Sequence, residues 1–378
     1  MRITIVIGPF YPIPPVLGGA VEKVHLLLAG AYRDAGHEVT IVSRRYAGFA
    51  DDEVVDGIRH LRIASSDRSS KLFVNLILDL IYSLRAAAVL PFADITITNG
   101  FFLPLVLPHR RAGKIYVQIG RYPKGQMPLY SRADRLQAVS KAVGRAVAQQ
   151  APWLARKVRV IGYAIPDAVF SVSADGARER VVLYVGRIAR EKGIELLLAA
   201  FAALPGRTVP GALAGWTLRV IGPHAVVQGG DGDEYLARLE TLAAQHAIPC
   251  EFIGPIFDEQ TLIEQYRRAA IFVYPSLAEA GEALPRAPLE AMAAGCATVV
   301  SRLECFADYI EDGMTGLSFD HGGSNPAAEL AAKLARLIGE PDLLHRISTA
   351  GRRAAEQFSV APIAARMLED FNALLGAR

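Results

Sequence analysis

Cysteine is scarce. The 378 residues hold three, Cys250, Cys296 and Cys305, with no CxxC pair and no metal-ligand spacing. A disulfide framework and a zinc ribbon are both excluded, and an odd, small count without an export signal points to a reducing cytosol. The dinucleotide fingerprint GxGxxG is missing after the first strand-like run, where a Pro-rich loop stands instead, so a nicotinamide-dependent oxidoreductase is disfavoured. No apolar run is long and uncharged enough to span a bilayer. The nearest, KLFVNLILDLIYSLRAAAVL, carries Lys71, Asp79 and Arg85 and predicts an amphipathic helix over Lys71–Val89. The opening MRITIVIGPFYPIPP has too short an apolar run and no small-residue cleavage pattern for a signal peptide, and predicts a first buried strand. There is no internal repeat and no low-complexity tract.

What is present is apolar and patterned. The hydrophobic fraction is 52% and mean hydropathy is +0.25, enough in a chain of this length for two domains of ordinary size. The formal net charge of +3 is unevenly spread. Residues 1–165 hold 22 Lys and Arg against 11 Asp and Glu, a net +11, and the remainder holds 19 against 27, a net −8. A basic half beside an acidic half suggests that the basic one faces phosphates, a lipid surface or another anion; the plainer reading is an ordinary solvated surface.

Short apolar strands alternate with helices throughout. RITIVI, HEVTIVS, IRHLRI, ADITITNG, KIYVQIG, RLQAVS and VRVIGYA read as one series, with a helix over Ala20–Ala35 and a charged loop before IRHLRI. From Arg180 a second series follows: RVVLYVG, TLRVIG, CEFIG, IFVYPS and ATVVS. Between these lie helices over Gly193–Ala203, Glu234–His246, Asp258–Ala269 and Pro288–Ala294. The tail from Pro341 reads as helices broken at Pro362. Two such series predict two doubly wound α/β domains, each with a parallel sheet covered on both faces, facing across a cleft. The polar stretch IPDAVFSVSADGARE sets the boundary near Pro166–Arg180.

In such sheets ligands bind past the carboxyl ends of the strands, so residues there carry the information. Gly18-Gly19 directly precedes a helix, where a backbone without Cβ can approach an anion; a flexible loop is the alternative. Arg187 and Lys192, in GRIAREKG, lie between a central strand and the next helix, and suit a diphosphate. In EALPRAPLEAMAAG, Pro288 suits the first helical position, Glu290 the first turn and Gly295 the stop. Helix capping therefore accounts for Glu290 as well as ligand binding does, whereas Glu282 has no such local role. Asp231 and Asp233 show a DGD spacing seen in metal sites, but they precede a helix after two glycines. N-capping and compensation of the helix dipole explain them without a metal. His109, alone in LPHRR, reads as structural.

The runs VGRIAREKGIELLLAAF, FIG, VYPSLAEAGEALPRAPLEAMAAGCATVVS and DGMTGLSF together resemble the donor half of glycosyltransferase family 4, strongly from Val181 to Phe319 and more weakly before. The resemblance implies the GT-B fold, with a Rossmann-like acceptor domain over 1–165, a nucleotide-sugar donor domain over 166–355, and a C-terminal helix over 356–378 packing back on the first domain. It implies a retaining hexosyltransferase that takes a hexose from a UDP- or GDP-linked donor to a glycan or polyprenyl-diphosphate-linked acceptor in polysaccharide or envelope glycan synthesis. Glu282, Arg187 and Lys192 would be catalytic. Glu290 would take the ribose hydroxyls. Gly18, Gly19, Ala283, Leu284, Pro285, Ile253 and Gly254 would complete the donor site, with backbone N–H groups of Ala283–Pro285 turned to sugar or phosphate and Ile253-Gly254 near the base.

Two departures concern the first half. Ile119, between Gln118 and Gly120, stands where many members have a His near the donor sugar, and IGYAIP replaces the usual Asn-Gly. Arg121 and Lys124 are the candidate acceptor residues, with Arg44, Arg45, Arg110 and Arg111 as further candidates for phosphate or membrane contact. No metal or other cofactor is expected, nor nucleic acid. A cytoplasmic protein in peripheral contact with the anionic inner face of the cell membrane is expected. The competing readings are a nucleotide-sugar epimerase or hydrolase on the same fold, and a non-catalytic nucleotide-sugar-binding module.

Overall fold

Alternation of strand and helix becomes two sheets in the computed structural model, which describes residues 1–171, 178–204 and 215–376. Part of the predicted boundary stretch, residues 172–177, lies outside the described residues. The chain divides into one unit of Met1–Ala164 with Phe358–Arg378 and a second of Ile165–Gln357.

The first unit holds β1 (Arg2–Val6), β2 (Glu38–Arg44), β3 (Asp52–Val55), β4 (Ile58–Ile63), β5 (Ile95–Thr98), β6 (Lys114–Ile119), β7 (Arg135–Ala138) and β8 (Val158–Val160). Their order across the sheet is β3-β4-β2-β1-β5-β6-β7-β8. All neighbours are parallel except β3 and β4. These two form a hairpin through Asp56-Gly57, both at positive φ (47° and 73°), as a tight primed turn requires. This hairpin replaces the expected charged loop. The helices are α1 (Ala20–Asp34), α2 (Leu72–Val89), the one-turn α3 (Leu103–Val106) and α4 (His109–Ala112), and α5 (Lys141–Gln150).

The second unit holds β9 (Glu179–Val185), β10 (Thr217–Ile221), β11 (Cys250–Gly254), β12 (Ala269–Tyr274), β13 (Ala297–Ser301) and β14 (Leu317–Phe319). They form a parallel sheet in the order β11-β10-β9-β12-β13-β14. Its helices are α6 (Ile194–Ala202), α7 (Asp233–Gln245), α8 (Glu259–Arg268), α9 (Arg286–Ala293), α10 (Pro326–Gly339) and α11 (Pro341–Glu356). Every residue of β12 and β13 is buried, which is why AAIFVY is a nearly continuous apolar run and ATVVS has no charged or large polar residue.

The last helix, α12 (Val360–Gly376), returns to the first unit. The tail breaks between Glu356 and Val360, and Pro362 sits inside the first turn of α12, where its missing N–H costs nothing. Asp370 anchors the helix. It accepts from the Tyr116 hydroxyl at 3.0 Å and pairs with Arg135 at 2.8 Å, both groups being buried. Phe371 packs edge-on against Tyr116 and Tyr32.

In each sheet the strand order reverses once, between β1 and β5 in the first and between β9 and β12 in the second. At such a switch point neighbouring connections diverge to opposite faces and leave a crevice beyond the strand ends. The loops after β9 and β12 carry Arg187, Lys192 and Glu282.

Candidate active site

The loop after β9 runs through Gly186 and Arg187 to a single 3-10 turn at Arg190–Lys192. Gly193, left-handed at φ 69°, then starts α6. A Cβ at Gly193 would collide with the Pro275 carbonyl, so glycine is required here both by φ and by the close approach of the loop after β12. That approach is fixed by the Leu277 N–H, which donates to the Glu191 carbonyl at 2.8 Å. Together these contacts bring Lys192 against Glu282, ninety positions away. Lys192 Nζ donates to Glu282 Oε1 at 2.6 Å, and Ser276 Oγ donates to the same oxygen at 2.7 Å. Lys192 is 4% exposed and Glu282 7%.

Three phenols surround the pair. Burial, with Glu282 nearby, holds the Tyr184 and Tyr274 hydroxyls well above the usual phenol range, and burial does the same for Tyr309, beside Cys305 and Glu282. The Lys192 ammonium also lies 5.8 Å from the Tyr274 ring centre. A buried ammonium, a carboxylate and a hydroxyl thus share one point beyond the sheet. Such a point can neutralise an anion and hold a polyol.

Arg187 is more open, with 42% of its side chain exposed. Its guanidinium donates to the Gly229 carbonyl and, at 2.7 Å, to Glu191 Oε1, while its own carbonyl accepts from Tyr184. Asp231 proves to be a loop brace. Its carboxylate accepts the Arg190 N–H at 2.7 Å, and its own N–H donates to the Ile188 carbonyl. The N-cap of α7 is Gly232, so the expected N-capping by Asp231 or Asp233 does not occur. Asp233 lies in the first turn and faces His224 at 3.0 Å. Among the described residues no group of three or more His, Cys, Asp or Glu could hold a metal ion.

Glu290 departs from its expected local role. Helix α9 starts at Arg286, which makes Pro288 its third residue and puts Glu290 in the second turn. Capping no longer accounts for it. Instead Glu290 Oε1 pairs with Arg286 at 2.8 Å and Oε2 accepts from the Tyr266 hydroxyl at 3.2 Å. Within Ala283–Pro285, only Ala283 and Leu284 have an N–H to offer. Pro285 has none, and its carbonyl accepts from Tyr309 at 3.3 Å. Ile253 and Gly254 end the edge strand β11, with Ile253 exposed and the Gly254 carbonyl tied to the Gly222 N–H.

In the first unit, Gly18 and Gly19 have φ of 80° and 104° ahead of α1, and a Cβ on Gly19 would run into the Glu22 carboxylate. Glu22 is buried, and burial pushes its pKa up from the ordinary carboxylate value. Its own N–H and the neighbouring Arg121 act in the opposite direction. Arg121 thus lies within electrostatic reach of Glu22, and both Arg121 and Lys124 are exposed. Arg44 holds Asp67 and the Phe10 carbonyl, and Arg45 is paired with Asp51. Ile119 is buried at the end of β6, and residue 120 has no side chain. A Cβ there would strike the Tyr163 hydroxyl. The two departures, at 118–120 and in IGYAIP, thus meet in space, with the tyrosine filling the room left by the glycine.

Sequence reasoning missed Ser276, Tyr274, Tyr266, Arg286 and Glu22, and misread Asp231 as a helix cap. Ser276 and Tyr274 had a signal, since both sit at the end of a central strand, and Arg286 had one in Glu290 four residues on; Tyr266 and Glu22 act through partners distant in sequence.

Comparison with known proteins places this geometry in a class. Residues 169–354 match the family model described as Glycosyl transferases group 1. The structure superposes on sucrose-phosphate synthase from Thermosynechococcus elongatus with a TM-score of 0.74 at 21% identity, covering all of both chains. It superposes on Anabaena HepE, solved with UDP and glucose, with a TM-score of 0.74 at 17% identity, covering 99% of this chain and 100% of that one. In sequence it is 23% identical to spore coat protein SA of Bacillus subtilis over 94% of this chain and 95% of that protein. Over 52% of this chain and 40% of the relative it is 30% identical to the D-inositol 3-phosphate glycosyltransferase of Rhodococcus jostii. The fold is that of the GT-B glycosyltransferases. The chain carries a glycosyl transferases group 1 domain and is a glycosyltransferase.

Proposed function

We propose that this glycosyltransferase is a retaining hexosyltransferase of family 4. In this reading it moves a hexose from a UDP- or GDP-linked donor to a glycan or polyprenyl-diphosphate-linked acceptor, in polysaccharide or envelope glycan synthesis. The observation that carries the reading is the buried Lys192–Glu282 pair at 2.6 Å, set at the switch point of the second sheet with Arg187 on the same loop. HepE has been solved with UDP and with UDP-glucose, which supports a nucleoside diphosphate sugar as donor here.

In this reaction the bond between the anomeric carbon and the diphosphate oxygen breaks. The acceptor oxygen bonds that carbon from the same face, and its proton passes to the departing phosphate. Lys192 and Arg187 hold the charge that grows on the diphosphate. Glu282 takes hydroxyls of the sugar and faces positive charge near the anomeric carbon, since a carboxylate can accept two donors while still paired. Arg121 and Lys124 take an anionic acceptor, at a cytoplasmic membrane surface. The test is acceptor dependence. With a candidate donor, the nucleoside diphosphate should appear only when acceptor is present, and release at the same rate without acceptor would make the chain a hydrolase.

Two further results are expected. Transfer should persist in excess chelator, because the diphosphate is neutralised by Arg187, Lys192 and the start of α6 rather than by a metal. Loss of transfer that manganese or magnesium restores would overturn this. Glu290→Gln should weaken binding of the free nucleoside diphosphate about tenfold, since the ribose loses a charge-assisted acceptor. It should also lower the melting temperature, because Arg286 loses its counter-charge. Titration calorimetry separates the two effects, and unchanged affinity with a lowered melting temperature would leave Glu290 as the partner of Arg286 alone.

A further inference from the structure

Helix α2 is built the wrong way round for a helix that faces water. Its inner side carries polarity: Asp79 is buried, its Oδ1 accepting from the Phe102 N–H at 3.0 Å and from Ser83 Oγ at 3.4 Å, and Tyr82 and Ser83 are buried beside it. Its outer side is apolar. Phe73, Ile77, Leu80, Ile81 and Leu84 follow one another at helical spacing, and all are exposed, Phe73 by 73% and Leu84 by 53%. Phe92, just past the helix, extends the stripe and is 62% exposed. By length and composition alone α2 is apolar enough to cross a membrane, against the expectation from its two charges. A stripe this long is not an incidental scatter of surface leucines.

Cations rim the stripe. Arg68 and Lys71 precede it, Arg85 interrupts it, and Arg110 and Arg111 stand beyond its end, all exposed. Between Arg68 and Phe92 the one acidic residue is Asp79, and it points inward. Two of these arginines also bind the helix in place. Arg85 donates to the Ala64 carbonyl at 3.0 Å and Arg111 to the Ala88 carbonyl at 3.2 Å.

We infer that α2 lies in the interface of an anionic bilayer, its apolar stripe among the acyl chains and its cations against the headgroup phosphates. Charge decides the occupant. In a two-fold dimer formed through the same stripe, like cations would meet across the interface, whereas an anionic lipid surface complements all of them. The buried hydrogen bonds of Asp79 and the side-chain ties at Ala64 and Ala88 keep the helix on its unit, so it lies on the membrane rather than crossing it. This inference gives a surface to the membrane part of the proposed function. Its readout is binding, so its failure would leave the role of Lys192 and Glu282 untouched.

The test is co-sedimentation of the full chain with phosphatidylcholine vesicles with and without phosphatidylglycerol. The protein should pellet with the anionic vesicles, less so at high salt but not to zero, because salt does not screen the apolar part. The double variant Phe73→Glu, Leu84→Glu alters exposed positions, so its melting temperature should match the parent, and its partition should fall on the order of a hundredfold. Alkaline carbonate should strip the bound protein from the vesicles. Absence of pelleting at low salt, or a double variant that pellets like the parent, would overturn the inference. A parent dimer that the double variant splits, with no vesicle binding, would assign the stripe to a second copy. Resistance to carbonate would make α2 a spanning helix.

Discussion

Lys192→Ala is expected to lower kcat about a hundredfold or more, the usual cost of losing one donor placed to meet developing charge. The ammonium is already desolvated in the resting structure, held by Glu282 and 5.8 Å from the Tyr274 ring centre. It therefore needs no large reorganisation when the diphosphate departs. Its contribution grows with that charge, so the loss belongs in kcat more than in KM. Arg187→Ala should act in the same direction. Arg187 is more exposed, and its hydrogen bonds to Gly229 and Glu191 hold it ready rather than bury it, so a larger share of its effect should fall on KM. Steady-state transfer with a matched donor and acceptor measures both, and thermal melting of each variant checks that the fold persists. Near-wild-type turnover in both variants would remove this loop from the chemistry.

Much of this architecture is legible in the residues, because parallel strands buried on both faces must be apolar throughout and must be followed by helices. The hairpin β3–β4 escapes that logic. Asp52–Val55 is an exposed edge strand with no apolar face, and only the Asp56-Gly57 turn marks it. The sequence places the start of α9 at Pro288, two residues after its start at Arg286, because proline is tolerated anywhere in the first turn and so does not fix the first residue. Helix α2 shows a deeper limit. Periodicity separates two faces but does not say which one points inward; that was settled by the Phe102 N–H, which needs the Asp79 carboxylate.

The site divides in the same way. Lys192 and Glu282 could each be singled out by their place after a strand, but their contact could not. It depends on β9 and β12 being neighbours, on Gly193 letting the loops touch, and on Asp231 bracing one of them. The carboxylate of Glu290 was read through its own helix, whereas its partners are Arg286, one turn back on that helix, and Tyr266, on another.

The pair also predicts a separation of stability from activity. Removing one member of a buried ion pair strands the other, at a typical cost of about 3 kcal/mol or more, whereas replacing both by apolar groups is often neutral. Lys192→Met should be the more damaging single change. It leaves Glu282 enclosed by Tyr184, Tyr274 and Tyr309 with Ser276 as a neutral donor. Glu282→Leu leaves Lys192 with a second carboxylate, Glu191, 3.5 Å away. Lys192→Met combined with Glu282→Leu should regain most of the lost stability, with Ser276 still able to donate to the Glu191 carbonyl at 3.4 Å. Its transfer activity should remain as low as that of Lys192→Met, since the charges that meet the diphosphate and the sugar are both gone. Denaturant melts and transfer assays on the four proteins of this cycle give the coupling in each property. Stability that fails to recover in the double variant would mean that a stranded buried charge is not what destabilises the single variants. Activity that recovers with stability would mean that the single variants lost turnover by unfolding, and that Lys192 and Glu282 serve the fold rather than the reaction.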